Sequence, residues 1–204
     1  MHTARYVFAL LLVVSLPPAI LLWYAIHPFV RFWRRLGPVW TYVVLSPLVV
    51  GLMLAVYLAR HTLLQADLGT HYWLLIPTVL CLGFGGWIAW HRRKQLTQRM
   101  ITGVAELSRD PSQSTLLTEG AYAVIRHPRY VEVVLWSAAY AFFANYLASY
   151  IAVLLAIPAL YVVVLLEERE LRDRFGSAYE EYARRVPRFV PRLGGRKAPA
   201  DSVD

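Results

Sequence analysis

The sequence predicts an all-α integral membrane protein of five transmembrane helices, closing with a helical hairpin and a cytoplasmic amphipathic helix. Three observations lead there. Of the 204 residues, 58% are hydrophobic, more than the roughly 45–50% typical of soluble domains. Apolar runs recur at lengths near the ~20 residues that cross a bilayer as a helix. The 21 Lys and Arg residues concentrate in the connections and the tail, the distribution expected when positive loops stay cytoplasmic. The net charge of +8 is therefore a topology signal, and with no aromatic-rich basic surface beside it, no nucleic-acid partner is expected. Residues 1–192 are expected to form one membrane domain, and 193–204 a flexible tail.

The first span covers about Tyr6 to Val30, and Pro17-Pro18 should kink it, because proline removes a helix donor and crowds the preceding turn. Its length exceeds the short core of a secretion signal and no small-residue cleavage site is evident, so it is expected to be retained. Arg31, Arg34 and Arg35 mark the first connection. A second span, about Val39 to Ala59, contains Pro47. The third, about Tyr72 to Trp90, carries Gly83, Gly85 and Gly86, small residues that admit a close neighbouring helix or ligand. In the long polar stretch 91–129, Leu96, Met100, Ile101, Val104 and Leu107 recur at helical spacing and predict a surface helix, followed by a turn at Asp110-Pro111-Ser112. The fourth span, about Tyr130 to Ala144, is short. Asn145 turns the chain into the fifth, about Tyr146 to Leu166. In the segment 167–186, Leu171, Phe175, Ala178, Tyr179, Tyr182 and Val186 form an apolar stripe that Pro187 stops. Counting positive charges places the N-terminus outside and the C-terminus in the cytoplasm.

Cys81 is the single cysteine. It permits no disulfide framework or thiolate zinc site, and no metal is expected. The chemistry concentrates where the hairpin begins and ends. Its two polar ends must return to one side of the membrane, which brings Arg126, His127, Tyr130, Glu167, Glu168, Tyr179 and Tyr182 to one water–lipid boundary. Carboxylates there are costly to desolvate and pair with cations or polar ligands; a solvated helix end beside Arg169 and Arg172 is the plainer reading. His127 has a side chain suited to orienting a ligand or moving a proton, or to a structural role, and Arg126 to gripping lipid phosphate. Pro128 suits the first turn of a helix.

Together these residues form a specific order: Gly-x-Tyr…Arg-His-Pro-x-Tyr (Gly120 to Tyr130) before the hairpin, then Glu-Glu…Leu…Phe-Gly…Tyr-x-x-Tyr…Val-Pro…Pro (Glu167 to Pro191). From about Thr118 to Pro191 the chain resembles the isoprenylcysteine carboxyl methyltransferases and, more distantly, the integral-membrane phospholipid methyltransferases. The resemblance implies an S-adenosylmethionine-dependent enzyme with its cofactor held by Tyr122, Arg126, His127, Pro128, Tyr130, Glu167, Glu168, Tyr179 and Tyr182. The chemistry agrees: carboxylates suit the sulfonium and ammonium, Arg126 suits the carboxylate, and tyrosine faces suit the adenine or the cation. Arg126, Glu132 and Glu168 are the expected catalytic residues, with membrane lipids and a lipophilic acceptor as partners.

Two positions depart from the family. Glu132 stands where a glycine is frequent, and a carboxylate inside a span is a functional candidate, unless it snorkels or pairs with Arg129. Residues Tyr161 to Leu166 carry no charge, where the prenylcysteine enzymes have a basic residue. Both weaken a prenylcysteine carboxylate as acceptor and leave an amine, a thiol or another lipid headgroup open. Two other readings remain: a membrane reductase of the sterol-reductase type using NADPH, for which five spans are few, and a non-enzymatic assembly or transport protein.

Overall fold

The computed structural model describes residues 1–93 and 116–192. The expected surface helix over Leu96 to Leu107, the turn at Asp110 and the tail from Gly194 lie outside them. Every long element is helical, as the apolar runs require: within a bilayer a backbone segment must satisfy its own N–H and C=O groups.

Helix α1 (His2–Ile26) continues through Pro17 and Pro18. A single 3-10 turn at His27–Phe29 makes an elbow, and α2 (Val30–Leu36) follows where a loop was expected. Gly37, at φ 87°, ends it, and Pro38 opens α3 (Pro38–Leu58), at the position where a missing donor costs nothing. After α4 (Arg60–Leu63) and a 3-10 turn at Tyr72–Leu74, α5 runs from Leu75 to Arg93. A short α6 (Ala121–Val124) leads to the hairpin helices α7 (Pro128–Ala144) and α8 (Leu147–Phe175). The amphipathic segment expected as one helix over 167–186 is divided. Glu167 to Phe175 prolong α8, Gly176 at φ 53° breaks the path, and α9 covers Ser177–Arg185. A positive φ is open to glycine at little cost, which places the break there.

Four segments are long and apolar enough to cross a membrane: His2–Leu36, Pro38–Leu58, Tyr72–Arg93 and Leu147–Phe175. The 17 residues of α7 reach about 26 Å at 1.5 Å per residue, short of a ~30 Å hydrocarbon core. The chain is thus a multi-pass membrane protein whose fourth apolar element is packed inside the bundle. One buried cluster joins Leu12, Leu16 and Ile20 of α1, Tyr130 and Ala141 of α7, and Leu160, Val163 and Val164 of α8. Outside this trio, α5 lies along α7 and α3 along α1. Only Thr41 and Leu45 of α3 are buried, so most of its apolar residues face outward, as on a lipid-facing helix. Exposed Trp40 and Tyr57 flank α3, and Tyr72, Trp73, Trp87 and Trp90 flank α5, the aromatic placement of membrane–water interfaces.

The bundle has two chemically distinct ends. At one, Arg5 of α1 is buried and donates Nε to the Ala144 carbonyl at 2.9 Å, while its guanidinium pairs with Asp67. Asp67 also bridges to Tyr146. Asn145 adopts the left-handed conformation at φ 53°, where its Nδ2 donates to the Gly69 carbonyl at 2.9 Å and its Oδ1 accepts from the Tyr150 hydroxyl at 2.9 Å. The other end gathers both hairpin mouths, the elbow and the C-terminal segment.

Candidate active site

Pro128 fixes the start of α7 and leaves His127 just outside it. On the opposite strand of the hairpin, α8 carries Glu167 and Glu168 one turn below Val163 and Val164, whose complete burial holds the acidic pair at the mouth. The chain then doubles back through α9. Beyond it, residues 187–189 lie against the Arg126–His127 backbone: Arg126 N–H donates to the Pro187 carbonyl at 2.8 Å and His127 N–H to the Arg188 carbonyl at 3.1 Å. This strap completes the site.

Glu168 is its centre, with no solvent exposure. Its Oε1 accepts from Arg188 Nε at 3.0 Å and lies 3.1 Å from Arg126 Nη1 and 3.2 Å from His127 Nε2. Its Oε2 accepts from Arg188 Nη2 at 2.9 Å and Arg172 Nη2 at 3.2 Å. A buried carboxylate requires such compensation, and the bidentate guanidinium contact is its strongest form. His127 is buried too. Burial alone would lower its pKa, but contacts with the Glu167 and Glu168 carboxylates outweigh that and raise it, favouring the imidazolium. Tyr130 sets edge-on against Trp23 at 5.4 Å and lies 5.8 Å from the His127 ring. The hydroxyl of Tyr182 donates to the Tyr122 carbonyl at 2.7 Å, which ties α9 to α6. Burial pushes the Tyr179 hydroxyl up to about 12, with the Glu168 charge adding to it; burial raises Tyr182 as well.

Among the described residues, three buried polar atoms here lack a well-formed hydrogen bond: Arg126 Nε, Glu167 Oε2 and the Tyr179 hydroxyl. Glu167 Oε2 lies 3.5 Å from His127 Nδ1; the Glu167 carboxylate also interacts with Tyr130, and the Tyr179 hydroxyl with Arg126, at looser geometry. Orphaned polar atoms are rare in a folded interior and ask for an explanation. One donor, one acceptor and one hydroxyl, each incompletely satisfied, together form a set for a ligand carrying both charges.

The structure thus brings Arg126, His127, Glu168 and Tyr179 into one cradle, with Glu167, Tyr130, Tyr122 and Tyr182 at its walls. Glu132 is elsewhere. It accepts from Arg92 of α5, Nε at 3.0 Å and Nη2 at 2.9 Å, both on Oε2; Arg129, the partner considered from sequence, lies over the Trp23 ring at 5.2 Å. Sequence reasoning missed Arg188, whose signal is a basic residue directly after the Val186-Pro187 stop.

A model of the phospholipid methyltransferase family matches residues 69–178, which contain α5, α7, α8, Arg126, His127, Glu167 and Glu168, while Tyr179, Tyr182 and the strap lie just beyond. This chain belongs to that family. It is a membrane methyltransferase, and the relatives agree. It is 31% identical over 186 residues to methanethiol S-methyltransferase 2 of Bradyrhizobium diazoefficiens, covering 85% of this chain and 68% of that one. It is 33% identical over 94 residues to protein-S-isoprenylcysteine O-methyltransferase B of Arabidopsis thaliana, covering 46% of this chain and 47% of the plant protein. Over 77 residues it is 31% identical to the Schizosaccharomyces pombe protein-S-isoprenylcysteine O-methyltransferase, 37% of this chain and 33% of that one. No solved structure matches the chain.

Proposed function

We propose that this methyltransferase uses S-adenosylmethionine to methylate a lipophilic thiol at the cytoplasmic membrane interface, on a five-pass topology with the N-terminus outside. The observation that carries the reading is the trio of incompletely satisfied buried atoms in the cradle. Glu167 Oε2 suits a cationic ammonium or sulfonium, Arg126 Nε suits a carboxylate, and the Tyr179 hydroxyl suits either charge. When bound, S-adenosylmethionine supplies a methyl carbon activated by a positive sulfur. The protein's share is to hold reactants collinear and dry, which is most of what an in-line displacement needs. Glu168, clamped by Arg126, Arg172 and Arg188, fixes the hairpin mouth. His127 holds a proton between the two carboxylates, and the α7–α8 walls exclude water.

The choice of thiol among the possible acceptors rests on two supports. The relative that matches along most of the chain is named for a thiol. A carboxylate acceptor, in contrast, needs a counter-charge near Tyr161 to Leu166. The guanidinium that reaches Tyr161, that of Arg188 at 6.0 Å, is already doubly engaged by Glu168. As the new S–C bond forms and the donor's bond to methyl breaks, the thiol proton passes to a carboxylate. Glu132, paired with Arg92 outside the cradle, is the candidate the sequence offers for that part, and the variant below decides it.

Incubation of purified protein with methyl-labelled S-adenosylmethionine and either a long-chain thiol, methanethiol or a prenylcysteine tests this directly. Label in a thioether with little in methyl ester is expected. Methyl ester as the main product would refute the thiol, and no labelled product with any acceptor would refute the donor. A Glu132→Gln variant that binds the donor normally and keeps full turnover would remove Glu132 from the reaction.

A further inference from the structure

A row of rings leads from the lipid-facing surface to the cradle. Tyr161 lies in the apolar segment Leu147–Phe175 and is 43% exposed. It stands two helical turns before Glu168, on the same face of α8. Phe189 of the strap comes next: its ring centroid is 6.2 Å from that of Tyr161 and 6.0 Å from that of His127. His127 in turn has Glu167 Oε2 3.5 Å from Nδ1 and Glu168 Oε1 3.2 Å from Nε2. Half-buried Phe189 also packs against the core cluster that includes Tyr130, Leu160 and Val164. A carbon chain threaded between two rings needs about 7–8 Å, one carbon contact of roughly 3.5–4.0 Å on each side. Both gaps are smaller, so the row is closed.

We propose that Phe189 is a plug that selects the acceptor by girth, and that the acceptor is a thiol on a slender, unbranched chain. The plug rests on the reading of the cradle as a site of thiol methylation. Its mount is firm. The Pro187 and Arg188 carbonyls accept from the Arg126 and His127 N–H groups at 2.8 and 3.1 Å, and the Arg188 guanidinium grips both oxygens of Glu168. These bonds belong to the residues just before Phe189, so its ring can turn about its own side-chain bonds while the strap stays in place. Turning the ring clears the width of one methylene chain. A chain with methyl branches needs more room, which only release of the strap from Arg126, His127 and Glu168 would give. That release breaks the compensation of a buried carboxylate, a cost that a slender chain avoids.

Steady-state methylation by the full chain in detergent tests this, with 1-octanethiol and 3,7-dimethyloctane-1-thiol as acceptors that share a main chain and differ only in methyl branches. The unaltered protein should favour 1-octanethiol in kcat/KM by about tenfold or more, the scale on which an apolar site rejects a misfitting methyl group. Phe189→Ala should level the two by raising the value for the branched thiol. Phe189→Trp should widen the preference, and it tests the plug if the alanine variant does not fold. S-adenosylmethionine affinity, read by titration calorimetry, should hold in all three proteins. Equal kcat/KM for both thiols in the unaltered protein, or a ratio that neither substitution moves, overturns the plug and leaves thiol methylation standing. Parallel loss for both thiols together with loss of donor affinity would make Phe189 a packing residue and overturns it as well. Donor binding without methylation of either thiol by the unaltered protein rejects the thiol reading, and the plug with it.

Discussion

A carboxylate with no access to water must be matched by charge and hydrogen bonds at close range, and Glu168 is matched by Arg126, Arg172, Arg188 and His127. Replacing it with glutamine would leave those cations crowded without an anion. Because Arg172 and Arg188 keep 45% and 35% of their side-chain surface in water, they relax in part. A loss of about 1–3 kcal/mol is therefore expected for Glu168→Gln, below the figure for a fully buried pair. Thermal unfolding in detergent measures it, and an unchanged midpoint would mean that the network is not formed. His127 adds a pH dependence. Its folded-state pKa is raised, so the native protein holds the proton more tightly than the unfolded chain does. The stability it contributes is then complete below about pH 6.5, the ordinary histidine value, and disappears as pH climbs through the raised value. The stability gap between the protein and its His127→Gln variant should narrow on going alkaline. A gap that stays flat from acid to alkali would deny the imidazolium.

Among the elements, the α5–α7 contact is the tightest place tested by sequence. Three glycines were expected to allow close approach, and the structure separates them. A Cβ on Gly85 would fall 2.3 Å from Trp136 Cδ1, whereas Gly83 and Gly86 face open space. Gly85→Ala should cost about 1–3 kcal/mol through forced repacking, with part of the loss recovered when Trp136 is also replaced by alanine. Gly83→Ala and Gly86→Ala should be neutral or stabilising by up to about 1 kcal/mol. Equal effects at all three positions would mean that α5 and α7 do not meet there. At the other end of α7, Asn145 occupies a left-handed turn and spends its amide on Gly69 and Tyr150. Asn145→Gly keeps the backbone geometry but loses both bonds, so it should lose about 1–3 kcal/mol in the same unfolding measurement; no loss would show that the turn conformation alone matters.

For the whole molecule, what sequence revealed and what it hid follow one rule. The helical segments, the proline start at Pro128, and the hairpin turn at Asn145 are local, set by apolar run length and by residues with fixed backbone preferences. They are readable in a single pass. Partnerships across the chain are not. Arg5 meets Asp67 62 positions away, Glu132 meets Arg92 rather than neighbouring Arg129, and Arg188 reaches Glu168 only because the chain breaks at Gly176 and doubles back. Each depends on how helices pack, information that hydropathy does not carry. The site was partly legible because membrane topology did the folding argument: two polar ends of one hairpin must share a side.

The central claim is that these ends enclose a sulfonium ligand between Glu167, Arg126 and Tyr179. Isothermal titration of the purified chain in detergent, with S-adenosylmethionine against the protein and its Glu167→Gln variant, tests it most directly. Saturable binding at one site, weakened about tenfold or more when one charge-assisted contact is lost, is the predicted result. Absence of binding to the unaltered protein, or equal affinity of the variant, would contradict it.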